Sequence, residues 1–280
     1  MSAERRAKIS PAEIEQIASL KRSCLPNYKI AESVEISLGT VEKYVKKLGL
    51  QIRFPAVGRM SPNKARILGY LHGDGCKHRK FDKWYYDYVR LGKRYVPIKT
   101  MYKKPRPRIC LEFYNTNKQV LEIIRKTLQQ VYECKVGYSP RKYALTVKNA
   151  RVVKDFLSHS DVGCYSWRVP REILNASVDI QRAYIQAFGD AEATVENHNR
   201  YRIRFNSNNS IGLNQIHHML RTTLGIPSKL RGPYARGKYY LEISGKKWLL
   251  SFREKIGFAH PEKADKLAKL SEVPFKFSHA

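Results

Sequence analysis

Residues 65–76 read ARILGYLHGDGC, and residues 182–193 read RAYIQAFGDAEA. Each is an apolar helical run that closes on a small residue followed by an acid: Gly73-Asp74 in the first, Ala191-Glu192 in the second. Gly69 and Gly73 are four apart, hence on one helix face, and Ala187 and Ala191 repeat that offset. Small residues so spaced let two helix backbones approach closely. Pairing the two helices brings Asp74 and Glu192 together at the foot of the interface, on a pseudo-twofold axis. Two carboxylates, one from each half, suit a hard divalent ion such as Mg²⁺, which takes oxygen ligands and can act on two phosphates.

The duplication extends beyond these helices. The stretch 106–128 (RPRICLEFYNTNKQVLEIIRKTL) has a counterpart in 201–220 (YRIRFNSNNSIGLNQIHHML), and 142–156 (KYALTVKNARVVKDF) in 239–252 (YYLEISGKKWLLSF). Each half therefore reads as helix, strands, helix, strand pair, helix, and a repeat of this length sets the fold. The first half carries an additional segment, Lys77–Lys104, rich in Tyr, Lys and Arg. Alternation along the strands separates two sheet faces. Ile109, Leu111 and Phe113 oppose Arg108 and Glu112; Tyr143, Leu145 and Val147 oppose Lys142, Thr146 and Lys148. In the second half Ile203 and Phe205 oppose Arg202, Arg204 and Asn206, while Tyr239, Leu241 and Ile243 oppose Lys238, Tyr240 and Glu242. The apolar faces would lie under helices. The basic, hydrogen-bonding faces suit the major groove of a duplex, which makes Arg108, Lys142, Thr146, Arg202, Arg204, Asn206, Lys229, Arg231, Arg236, Lys238 and Tyr240 candidate DNA contacts.

Charge points the same way. The chain has 280 residues, with 53 Lys and Arg against 24 Asp and Glu, a net charge of +29. Such an excess favours a polyphosphate partner, because each neutralised phosphate releases condensed counterions. A 42% hydrophobic content excludes a disordered tail. No run reaches the ~18 apolar residues of a membrane span, and the start of the chain lacks a secretory pattern, so an intracellular protein (cytoplasmic, nucleoid-associated or organellar) without a membrane partner is expected. Five cysteines without a CxxC spacing argue against structural zinc or a disulfide framework. Neither a GxxxxGK[ST] loop nor an HExxH motif is present.

The first 50 residues read as a separate helical module. Ser10-Pro11 is a helix start, followed by Ile14, Ile17, Ala18 and Leu20 at helical spacing. A second helix is predicted through Tyr28–Val34, and a third opens at Ser37, with Val41, Tyr44, Val45 and Leu48 on one face, and ends at Gly49. This is a helix-turn-helix pattern whose third helix would offer Ser37, Thr40, Lys43 and Lys47 to a groove. Residues 51–63, with Pro55, Gly58 and Pro62, read as a linker. The expected division is 1–50, linker 51–63, first half 64–165 and second half 166–280.

Ile67–Gly75 and Ile185–Ala193 resemble the two motifs of the LAGLIDADG homing endonucleases; "VPREILNAS" (169–177) and "IGFAHPEKADKL" (256–267) are also similar to that family. The resemblance spans residues 65 to about 270. Ala187 and Ala193 stand where the family usually has glycine, and His72 where Asp is common. The resemblance implies an α+β fold of duplicated αββαββα halves with pseudo-twofold symmetry, acting as a monomer. It implies a metal-dependent, site-specific double-strand break leaving short 3′ overhangs. The metal site would comprise Asp74 and Glu192 with Gly73 and Ala191 beside them. Mg²⁺ would be the cofactor, with Mn²⁺ substituting and Ca²⁺ binding without supporting cleavage. Lys148 and Lys263 would be the basic catalytic candidates, with Lys246 behind them, and Asp190 would have a helix-end role. A non-cleaving DNA-binding regulator or an intron RNA maturase is the alternative on the same scaffold. The chain ends (no initial Cys or Ser, no terminal His-Asn) resemble a freestanding rather than an intein-embedded endonuclease.

Overall fold

The computed structural model describes residues 9–22, 25, 27–50, 59–91, 94–132, 134–196 and 201–272. Cys24, most of the linker at 51–58 and the last eight residues lie outside them. The chain divides into two compact units, Met1–Ala56 with Phe81–Pro107, and Val57–Lys80 with Arg108–Ala280.

In the first unit, α1 (Pro11–Arg22), α2 (Asn27–Ser33) and α3 (Leu38–Lys47) enclose Ile17, Ile30, Ala31, Val34, Ile36, Val41 and Val45. A capping box starts α1: the Ser10 hydroxyl accepts from the Glu13 amide at 3.3 Å while the Glu13 carboxylate takes the Ser10 amide at 2.8 Å. The α2–α3 turn passes through Glu35 at φ 54°, a left-handed conformation that most side chains resist. Ser37 caps α3 and its hydroxyl lies 2.6 Å from that of Thr40, so both hydroxyls serve the helix start. Leu48, expected on the apolar face, is the C-cap residue past the last helical residue, Lys47, and is 40% exposed, because the three-helix core draws its α3 side chains from Val41 and Val45.

The second unit is built twice. The first half runs α4 (Pro62–Gly73), β1 (Gly75–Leu91), β2 (Arg94–Tyr114), α5 (Lys118–Tyr132), β3 (Val136–Ser139), β4 (Ala144–Val147) and α6 (Ala150–His159). After a short α7 (Arg171–Leu174), the second runs α8 (Val178–Glu192), β5 (Ala193–Glu196), β6 (Arg202–Ser207), α9 (Ser210–Thr222), β7 (Lys229–Tyr234), β8 (Lys238–Ser244), α10 (Lys246–Lys255) and α11 (Pro261–Glu272). The strand orders, β1-β2-β4-β3 and β5-β6-β8-β7, are identical. The segment Lys77–Lys104 belongs to β1 and β2, which run on for 17 and 21 residues, and continue into the first unit. α4 begins at Pro62, inside the span read as linker.

Each sheet lays one face on a helical core. Leu111, Phe113, Leu145 and Val147 are buried in the first half, and Ile203, Phe205, Leu241 and Ile243 in the second. Asn117 and Asn209 start α5 and α9 in matched fashion, each side chain accepting amides of the first turn. Two residues assigned to the apolar face lie outside it. Ile109 is 44% exposed, because β2 pairs with β4 only from Leu111 onward. Tyr143 is 45% exposed, because it turns at φ 47° before β4 begins. Lys142 likewise sits in a single 3₁₀ turn, Pro140–Lys142, and not in the strand.

Between the halves α4 packs on α8. A Cβ added at Gly69 would lie 2.5 Å from the Tyr184 carbonyl and 2.9 Å from the Ala187 Cβ; one at Gly73 would lie 2.4 Å from the Ala191 Cβ. Glycine on α4 thus faces alanine on α8, and the missing methyls set the approach distance. Hydrogen bonds cross the seam both ways: Tyr70 donates to Asp190 at 2.8 Å, and the Tyr184 hydroxyl lies 2.8 Å from His72 Nδ1.

Candidate active site

Asp74 is the residue that ends α4, and its backbone carbonyl accepts the Tyr114 amide at 3.1 Å, which ties the helix end to β2. Its carboxylate accepts from the Asn115 side chain at 3.0 Å. Glu192 ends α8, and Asn206 of β6 donates to its backbone carbonyl at 3.1 Å. Both acids therefore sit where a packed helix hands over to its own half's sheet. Burial raises the pKa of Asp74, opposed by the Asn115 hydrogen bond and the Lys263 charge. Burial, and then the nearby Asp74 charge, push Glu192 up to about 7, with Lys263 opposing. A buried acid whose ionisation is opposed by a neighbouring carboxylate marks a place for a cation.

Two clefts flank the helix ends. One, of about 450 Å³, gathers Asp74, Asn115, Lys142, Tyr143, Ala191 and Lys263. The other, of about 440 Å³, gathers Glu192, Gly73, His72, Cys164, Arg204, Asn206 and Tyr240. Each cleft thus joins one of these two acids to the small residue of the opposite helix, with a further acid beside it, Asp190 in the first and Glu196 in the second. Among the described residues no group of three or more His, Cys, Asp or Glu could hold a metal. Two carboxylates, one from each half, suit Mg²⁺, which is held by one or two carboxylates plus substrate phosphate and keeps several waters.

Lys263, from α11, donates to the carbonyls of Asp190 at 2.5 Å, Gly189 at 3.1 Å and Ala191 at 3.3 Å. Burial lowers its pKa, while the charges of Asp190, Asp74 and Glu192 raise it. It both caps α8 and brings a positive charge to the acids. Lys148 does not do this: it is exposed beyond β4, and among the described residues no hydrogen bond or ion pair joins it to either carboxylate. Lys246 opens α10. Asp190 is a buried hub, taking the Tyr70 hydroxyl and, both at 2.9 Å, the amides of Ala259 and His260, which fixes the turn before α11. His72, at the matched motif position, stacks on Trp167 with centroids 5.5 Å apart, and burial pushes its pKa down to about 3.

The candidate DNA contacts separate into groups. Arg202, Arg204, Asn206 and Tyr240 share the open face of the second sheet; Lys229 and Arg231 are exposed on β7, Arg236 in the 3₁₀ turn after it, and Lys238 at the start of β8. In the first half Arg108 and Lys142 are exposed, and Thr146 pairs with Glu112 across the strands. Lys43 and Lys47 are exposed on α3. Sequence reasoning misses Asn115 and the part played by the acids of the open faces, of which Glu112 and Glu242 are buried. Glu112 takes the Tyr114 hydroxyl at 2.5 Å, and Glu196 and Glu242 hold arginines. One signal for Asn115 was available: it stands two residues before a helix-capping Asn, as Ser207 does, in both repeats.

Residues 179–257 match the family model of a LAGLIDADG-like domain. Comparison with curated protein sequences finds no match. Among solved structures, mesophilic variants of the homing endonuclease I-DmoI are 16% identical with a TM-score of 0.53, covering 76% of this chain and 100% of theirs. I-DmoI in complex with DNA and Ca is 17% identical with a TM-score of 0.52, at the same coverage. I-DmoI in complex with DNA and Mn is 17% identical with a TM-score of 0.50, covering 70% of this chain and 97% of its own.

Proposed function

We propose that this chain, which has the LAGLIDADG fold and carries a LAGLIDADG-like domain in its second half, is a divalent-metal-dependent endonuclease that makes a site-specific double-strand break in duplex DNA. The observation that carries the reading is the pair Asp74 and Glu192, one from each half, at the foot of one close-packed helix seam. Structures of I-DmoI with DNA and Ca or Mn support a duplex partner and a divalent ion.

Asp74 and Glu192 would hold the cation, with the backbone at Gly73 and Ala191 beside them. When bound, a divalent ion neutralises charge on the scissile phosphate and makes water a better nucleophile. The chain's own groups do the rest. Asn115 orients Asp74. Lys263 fixes the end of α8 and offsets the negative charge that accumulates there. The open sheet faces, and Lys43 and Lys47 of α3, grip the backbone and read bases. Mg²⁺ is the working ion in this reading, Mn²⁺ substitutes, and Ca²⁺ supports binding without cutting; the product ends are short 3′ overhangs, and one chain suffices. No observation on the described residues favours an RNA partner.

The test is a library of candidate targets in plasmids with purified protein and Mg²⁺. Specific linearisation by the wild type is expected. Asp74→Asn and Glu192→Gln keep side-chain size and should retain target affinity while cleavage falls by orders of magnitude. Tight wild-type binding without any cutting would instead make the protein a non-cleaving regulator.

A further inference from the structure

The open face of the second sheet carries two carboxylates where a DNA-binding surface would gain affinity from none. Arg202 of β6 stands opposite Glu196 of β5, and Arg204 opposite Glu242 of β8. Arg202 donates through Nε to Glu196 at 2.6 Å and through Nη1 to Glu242 at 3.0 Å. Arg204 donates to the other oxygen of Glu196, and its guanidinium lies 4.6 Å over the Tyr240 ring. Arg231 approaches Glu242 at 3.9 Å. Glu242 is 9% exposed and Glu196 20%, so the arginines lie over them.

We propose that Glu196 and Glu242 are positioning residues for sequence readout: they lock Arg202 and Arg204 into fixed forks that read guanine, and they weaken sequence-independent binding. The inference rests on the duplex-DNA reading above. A guanidinium has five N–H donors in a rigid plane, and the bonds to the two glutamates use two in Arg202 and one in Arg204. Arg204 Nε is buried without a partner, and the terminal Nη donors left over in both arginines suit the O6 and N7 acceptors of guanine, the commonest specific arginine contact. Ordering a long side chain in advance removes an entropic cost of docking. The same carboxylates repel phosphate, so the sheet holds mismatched DNA less well.

The experiment uses the full chain and a randomised duplex library, selected in the presence of a chelator so that binding is read without cutting. Wild type, Glu196→Gln, Glu242→Gln and Glu196→Asp are compared, with mixed genomic duplex as the non-specific probe and thermal melting as the folding control. The wild type should enrich sites with fixed guanines on the side read by the second half. Glu196→Gln should reduce that guanine preference at least tenfold while binding genomic duplex several-fold more tightly. Glu196→Asp keeps the charge but moves it, so preference should loosen without the gain in non-specific affinity. An unchanged guanine preference in both Gln variants overturns the proposal, as does an equal loss for selected and genomic DNA. A switch from cytosine to adenine at one position also overturns it, since the glutamate would then be reading a base itself. If the wild type enriches nothing, the DNA-binding reading itself fails, a result distinct from all of these.

Discussion

At the scale of single residues, the acid at the end of α8 works against the fold that holds it. Glu192 titrates at about 7, against an ordinary value of 4.5. The folded protein therefore binds that proton more tightly than the unfolded chain. The stabilisation is complete below about pH 4.5 and is lost as pH rises through about 7. At about 1.4 kcal/mol per pH unit, the loss is on the order of 3 kcal/mol. Glu192→Gln escapes it, so in chelator the variant should exceed wild type in urea midpoint at pH 8 and match it near pH 5; a gap of equal size at both would refute titration of Glu192 as the cause. If the site holds the proposed cation, its binding must displace the Glu192 proton, so the metal concentration needed should rise as pH falls below about 7, and Glu192→Gln should abolish that dependence. Both acids were legible in the sequence because each directly follows a small interface residue. Lys148 was a candidate by its position in the first half; it is exposed just beyond β4, and position along the chain gives no lateral distance to a helix end. Lys263 was a candidate on the same ground, its position in the second half; no spacing rule carries a residue of α11 back to the end of α8, where it donates to the carbonyls of Gly189, Asp190 and Ala191.

Between elements, the α4–α8 seam allows a test of the packing by exchange of one methyl group. Gly73→Ala puts a Cβ 2.4 Å from that of Ala191, and overpacking of this kind costs about 1–3 kcal/mol. Ala191→Gly should cost roughly 1 kcal/mol through helix propensity. Joining the two moves the methyl to the other helix, and most of the Gly73→Ala loss should be recovered in denaturant melts; simple addition of the two losses would mean that the close approach is not what the glycine serves. The seam, the repeat and the buried alternation were all readable, because period and residue size encode them directly. Strand ends were not. Ile109 and Tyr143 continue the alternation but fall beyond the β2–β4 ladder, which begins at Leu111 and ends at Ala144. The long strands β1 and β2 escaped notice because Lys77–Lys104 mixes aromatic and basic residues without a clean two-residue period.

Over the whole molecule, the net charge of +29 predicts that log K for duplex DNA falls with log salt by about 0.9 per phosphate neutralised, with at least ~6 contacts. A nearly flat salt response would assign that charge to something else. Lys43→Ala with Lys47→Ala should reduce the slope by about 2 and shorten the protected footprint at one flank, leaving the cleavage rate of bound target unchanged; an intact footprint would confine the three helices to packing. Neither lysine pair nor total charge says which bases are read. In the readout proposed above, that information sits in the second sheet's arginines and in the acids paired with them, whose partners no one-dimensional pattern reveals. The two clefts, finally, bear on ancestry and recombination. Because each joins the acid of one half to the small residue of the other, neither half owns a complete site. A chimera that grafts one half onto a foreign partner inherits half of two workshops, and it will cut only if the graft carries both faces of the seam as a matched set, whatever sheets hang from them.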